Sequence, residues 1–151
     1  SAQETTVAPT EAETASIPNP MEEVGNEQDF EAMGVHMVAP ADGENKQFFI
    51  INGEVAEISF SENGVSYCYR ASNTAEDFAG IFERFKDDIL VVSWKSGDAA
   101  GEAQVKTTES GGRLAFWSWG STGYTLYTAS DISDEDCTNI VTNLMELSYH
   151  E

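Results

Sequence analysis

Few side chains in this chain have the types and spacing that catalysis demands. Acyl transfer needs a nucleophile, a base and a third group to orient the base. Only two histidines are on hand, His36 in a short predicted strand and His150 beside the last residue, and no Gly-x-Ser-x-Gly turn accompanies them. A glycosidase needs two carboxylates facing one another across a cleft, but among 27 acids nothing selects two. Asp131, Asp134, Glu135 and Asp136 offer clustered oxygens of the kind a hard cation takes. They lack the Asp-x-Asp-x-Asp-Gly pattern of a calcium loop, and a solvated helix N-terminus explains the same residues. The expectation is a protein that is not an enzyme, without catalytic residues, metal or cofactor.

Two further sets of residues carry chemistry of a different sort. Cys68 and Cys137 are too far apart for a CxxC motif or a zinc ribbon. They are either a possible disulfide, if the chain is secreted, or two separate buried thiols, and the two cases look identical in sequence. Trp117, Trp119, Tyr124, Tyr67 and Tyr69 are the candidate ligand-binding set. On an open sheet face they would stack against sugar rings or anchor a protein partner. Under cover they would be core, as large aromatics usually are.

The elements that must position these groups follow from periodicity and turn chemistry. Pro18 and Pro20 hold the chain extended, and Asn26 can cap a short helix that runs to about Met33 and stops at Gly34. Val35, Met37 and Ala39 alternate as a strand ending at Pro40. QFFIING, EVAEISF and GVSYCYRA then read as antiparallel strands joined at Asn52-Gly53 and Asn63-Gly64, dipeptides that supply the positive φ of tight hairpins. AEDFAGIFERF places Phe78, Ile81, Phe82 and Phe85 at helical spacing, so a helix or helical turn is expected there. DILVVSW, EAQVKTT and RLAFWSWGSTGYTLYTA resume the sheet. A four-residue loop from Gly120 to Gly123 would set Trp119 opposite Tyr124 and Trp117 opposite Leu126. Leu114, Phe116 and Tyr127 would share the other face, so both faces of this hairpin are apolar, as in a central pair covered on two sides. Ser133 and Asp136 form a capping box for a last helix. Its stripe of Cys137, Ile140, Val141, Leu144 and Ser148 would pack on the sheet.

The fold class expected is α+β, a twisted antiparallel sheet of about six to seven strands with the C-terminal helix and short helices packed on it. A sandwich with helices on both faces, like that of photosystem extrinsic proteins, is the more specific version. Residues 1–17 have the small, acidic, proline-containing composition of a flexible tether, and residues 18–151 form a single domain. A domain of about 130 residues buries roughly two thirds of its unfolded surface and needs no staple.

Charge sets limits on partners. The chain carries 27 acids against 7 bases, a net charge of −20 and a pI near 4.1. Phosphate backbones are bound through Lys and Arg, and anionic membrane surfaces likewise, so neither nucleic acid nor electrostatic membrane binding is expected. No run of about 18 apolar residues is present to span a bilayer, and no signal-peptide pattern stands at the front.

Several phrases, taken in order, resemble a known family. IPNPMEEV before a short helix, INGEVAEISFSENGVSYCYRAS followed by AEDFAG, and FWSWGSTGYTLYTASDISDEDCTNIVTNLM together are similar to an uncharacterised family of extracytoplasmic domains in Gram-positive bacteria. Its members occur as lipoprotein ectodomains and behind the membrane segment of anti-sigma-factor-like proteins. The resemblance covers most of residues 17–147 and is weakest from Lys95 to Arg113. That family is a domain of unknown function, so no site residues carry over. What the resemblance implies is secretion, frequent membrane anchoring and an antiparallel sheet with helices. The functional expectation is a non-catalytic extracytoplasmic domain of a cell-surface lipoprotein, held to the membrane only through a lipid anchor upstream of residue 1. It would bind an envelope ligand or protein partner. The alternatives are a sensory ectodomain of the anti-sigma type and a glycan-binding module using Trp117, Trp119 and Tyr124.

Overall fold

The computed structural model describes residues 21–75, 78–81 and 83–150. Its strands are β1 (Met21–Val24), β2 (Glu44–Ile51), β3 (Val55–Glu62), β4 (Val65–Ser72), β5 (Phe85–Ser96), β6 (Ala99–Thr108), β7 (Arg113–Trp119) and β8 (Thr122–Thr128). A short helix α1 (Gln28–Glu31) follows β1, and a longer helix α2 (Asp134–Ser148) follows β8. All eight strands belong to one antiparallel sheet in the order β1-β2-β3-β4-β8-β7-β6-β5. The sheet is therefore two four-stranded meanders whose last strands, β4 and β8, meet in the middle.

The strand count exceeds the expected six to seven. β1 is the strand that periodicity missed, since MEEV has no alternation of its own. It is held instead by its partner, from Met21 opposite Ile51 to Val24 opposite Phe48. Val35, Met37 and Ala39 are buried in alternation as expected, but their segment lies outside any strand ladder. The sandwich is corrected to a single sheet. The tether expected over residues 1–17 lies outside the described residues. Among the described residues no helix is long and apolar enough to cross a membrane.

One face of the sheet, the inner face, carries the core. Ile58, Tyr69, Leu126 and Ala115 lie side by side across β3, β4, β8 and β7, with Tyr124 and Trp117 paired in the next row. Helix α2 closes this face with Cys137, Ile140, Val141, Leu144, Met145 and Ser148, all buried. Its start is fixed twice. Ser133 accepts a hydrogen bond from the Asp136 amide at 3.0 Å, and Arg113 donates to the Ile132 carbonyl and pairs with Asp134. Phe30 of α1 packs on Phe48 of the same face, so both described helices lie on one side.

Turn chemistry fixes the register. Asn63 and Gly64 both have positive φ, which makes the two-residue β3–β4 hairpin that suits the right-handed twist of its strands. Between β7 and β8 only Gly120 has positive φ, so the loop is the pair Gly120-Ser121 rather than the four residues expected. Trp119 consequently faces Thr122, Trp117 faces Tyr124 and Ala115 faces Leu126. The slip is two residues, an even number, and so no side chain changes face.

The topology imposes one more element. β4 lies at the centre of the sheet and β5 at its far edge, so the chain between Ser72 and Phe85 must cross β8, β7 and β6. At about 4.8 Å per strand that crossing covers roughly 19 Å. The helix expected here is absent from the described part of this segment. Phe78 and Ala79 form a turn, Gly80 has φ of +73°, and Phe85 already belongs to β5. The described residues of this segment instead lie as a strap across the outer face, the side away from α2, while Phe82 of the expected helix lies outside the described residues.

Candidate functional site

Arg70 and Glu83 pin the strap. Glu57 and Arg70 stand directly opposite one another on the outer faces of β3 and β4, and Arg70 Nε pairs with Glu57 Oε1 at 2.8 Å. The guanidinium then donates from Nη1 to the carbonyls of Phe78 and Ala79 at 2.9 and 3.2 Å. Gly80 suits this crossing, because its φ of +73° lies in the left-handed region and a Cβ there would stand 2.6 Å from Arg70 Nη1 and displace the guanidinium. At the other end Tyr127 donates to Glu83 Oε2 at 2.6 Å, Ser110 donates to Oε1 at 2.9 Å, and the Glu109 amide donates to the Arg84 carbonyl. The Glu83 bond, with partial burial, pushes the Tyr127 phenol up to about 12. The Tyr127 and Ser110 bonds hold the Glu83 carboxyl below its ordinary value.

Between these pins the strap stands off the sheet. Beneath it is an open-mouthed cavity of about 410 Å³, within the range typical of small-molecule sites. Phe78 and Ile81 come from the strap, Phe85 from the start of β5, and Leu114 and Phe116 from β7. The Phe78 ring packs on Gly123 of β8, where a Cβ would meet it at 3.3 Å. The polar side chains of the lining are Lys106 of β6 and Thr125 of β8. Lys106 Nζ lies 5.5 Å from the centroid of Phe85 and 5.6 Å from that of Phe116. Its strand neighbours on this face are Ile89 and Leu114. Among the described residues no carboxylate lies within ion-pair distance of it.

Of the expected ligand-binding aromatics, Trp117 and Tyr124 border the pocket where β7 and β8 pass beneath it, but the rings of all five turn to the opposite face. Trp117, Trp119, Tyr124, Tyr67 and Tyr69 are each 7% exposed or less, with their rings in the inner-face core. Tyr69, Trp117 and Tyr124 stack on one another with centroids 5.6–6.3 Å apart. Both indoles donate to Ser148 Oγ, Trp117 at 3.2 Å and Trp119 at 3.0 Å. Burial raises the pKa of Tyr69 and Tyr124. An exposed stacking platform is thus corrected to a helix-covered core. Helix α2 brings enough apolar surface to bury the whole row, and Ser148 gives the indole N–H groups an acceptor inside it.

The possible disulfide is corrected as well. Cys68 and Cys137 are both free thiols. Cys68 sits on the outer face between Ser59 and Tyr127, whereas Cys137 projects from α2 into the inner core. The sheet itself separates them. Cys68 donates to Glu57 Oε1 at 3.4 Å, and burial together with the Glu57 charge pushes its thiol up to about 12, far from the thiolate that reacts. His36 and His150 meet edge to face at 5.6 Å. The His36 carbonyl accepts from the Tyr124 hydroxyl, and His150 Nδ1 lies 3.0 Å from the Ser148 carbonyl. Asp131, Asp134, Glu135 and Asp136 are exposed around the start of α2. Among the described residues no group of three or more metal-ligating side chains converges.

The pocket residues left one trace in the sequence. Leu114 and Phe116 make the second face of the β7–β8 hairpin apolar, and that face is indeed covered. What covers it, and that Lys106 sits under the cover, depends on the crossing of the strap. Compared with known proteins, the chain matches no family model, no curated protein and no solved structure.

Proposed function

We propose that this chain is a non-catalytic binding domain, displayed outside a bacterial cell by a lipid anchor upstream of residue 1, and that it binds a small apolar ligand in the outer-face pocket. The observation that carries the binding half is the cavity between strap and sheet. Its walls are aromatic and aliphatic, and both its flanks are pinned by Arg70 and Glu83. A pinned strap pre-forms a site, and a pre-formed site spares the ligand the ordering cost of making one. The non-catalytic half rests on where the reactive groups stand. The Cys68 thiol is held protonated beside Glu57, and the two histidines are in contact with each other, with His150 also at the Ser148 carbonyl. The extracellular placement rests on the family resemblance of the sequence phrases and on the acidic, proline-containing front of the chain.

An NMR titration with neutral aromatic and aliphatic fragments tests the site. Shifts are expected at the amides of Phe78, Ile81, Leu114, Phe116 and Thr125, and Phe116→Ala should weaken them. Shifts confined to α2, or none at saturating fragment, would rule the pocket out. Display is tested on intact cells making the full-length protein: protease added outside should remove the domain, and protection from it would place the domain inside.

A further inference from the structure

Seven basic residues serve a chain with 27 acids, and among the described residues Arg70 and Arg113 are spent on internal ion pairs. Lys106 is different. It is half-buried in the pocket wall, flanked by two phenyl rings, with Ile89 and Leu114 beside it on the sheet. The rings give its ammonium a cation–π contact but accept none of its three N–H bonds in the manner of an oxygen. Thr125, two strands away on the same face, adds a hydroxyl to the lining. The remainder that a ligand would touch through side chains is hydrocarbon: Phe78, Ile81, Leu114 and Phe116.

From this juxtaposition we infer that the ligand class is an amphipathic monocarboxylate, an aromatic or aliphatic body ending in a single carboxylate that meets Lys106. The inference rests on the binding reading above and adds the ligand's charge to it. A neutral apolar molecule would offer the ammonium no oxygen in place of the water it displaces. A cation would be repelled by it. A dianion such as a phosphate monoester is normally held by several donors or a forked guanidinium, while one ammonium on a protein of net charge −20 balances one negative charge. The apolar body fills the space under the strap, and the carboxylate stays at the Lys106 end.

The full chain is titrated, by NMR, with a panel of arylalkanoates and medium-chain alkanoates, each paired with its own primary amide. A charge-assisted hydrogen bond predicts that the carboxylates bind about tenfold more tightly than the matching amides. Lys106→Met should erase that preference while leaving amide binding in place, and Lys106→Arg should keep it. If amides and carboxylates bind alike to the wild type, the inferred ligand class is wrong and the pocket reading survives. If the preference persists in Lys106→Met, another group reads the charge and the inference fails. If neither series moves the pocket amides, both the inference and the binding reading fall.

Discussion

The two faces of the sheet are made from alternate residues of the same strands, yet they are closed in opposite ways. The inner face meets a fifteen-residue helix that lays a continuous apolar stripe along it. Tyr67, Tyr69, Trp117, Trp119 and Tyr124 are buried there, and the N–H groups of Trp117 and Trp119 are met by Ser148 and the Met145 carbonyl. The outer face meets a strap whose described residues are held by hydrogen bonds at Phe78–Ala79 and at Glu83–Arg84. A helix can fill a face because its side chains stand along it at regular intervals. A strap pinned at two points leaves the ground between them open, and that ground is the pocket. Closure by packing yields stability. Closure by pinning leaves a concave surface with a cation in it.

The comparison breaks most plainly if the two covers are of equal weight. Trp119→Ala on the inner face should cost about 3–5 kcal/mol, the usual range for deleting a buried aromatic. Phe78→Ala, half-exposed on the strap, should cost no more than about 1–2 kcal/mol. Urea denaturation of both variants measures the difference, and equal losses would make the outer face a second core. Arg70→Ala comes next. It removes one partner of a largely buried pair and two carbonyl contacts, with an expected loss of about 3 kcal/mol. Its distinguishing sign is local: amide exchange should quicken across Phe78–Ile81 while the near-ultraviolet signal of the inner tryptophans is kept. Loss of that signal would mean that the strap supports the inner core too.

The smallest effect sharpens the picture of the Glu83 pin. Its folded pKa lies below the unfolded Glu value of about 4.3. Ionised Glu83 therefore adds stability that is complete above that pH and is lost as pH falls through the lower folded value. Wild type and Glu83→Gln should differ in midpoint at neutral pH and converge on acidification below about pH 4. Curves that stay parallel into acid would show that the carboxylate does not hold the strap.

Legibility followed how local each signal is. The hairpins at Asn52-Gly53 and Asn63-Gly64 and the cap at Ser133 depend on neighbouring residues, and each is found with the geometry its residue types demand. The stripe of α2 is equally local, because i, i+3 and i+4 share a helix face whatever lies opposite. The Phe78–Phe85 segment shows the limit. Its apolar spacing fits a helix, yet among the described residues Phe78 covers Gly123 and Phe85 opens a strand. Spacing counts intervals along the chain and carries no information on how far the chain must travel.

By itself, then, the sequence determined β2 to β8, the turns at Asn52-Gly53 and Asn63-Gly64, the terminal helix and the two apolar faces of the β7–β8 hairpin, because each is set by side chains within a few residues of one another. The tertiary structure decided that β4 and β8 would pair at the centre, and everything at the candidate site descends from that pairing. It sends the chain from the middle of the sheet to its edge, brings Arg70 against the Phe78 and Ala79 carbonyls, and sets Phe85 and Phe116 on either side of Lys106. It also placed the sheet between Cys68 and Cys137 and put the tryptophans beneath α2. A strand's alternation separates its two faces, but which face a helix will cover is chosen by contacts between residues far apart in the chain.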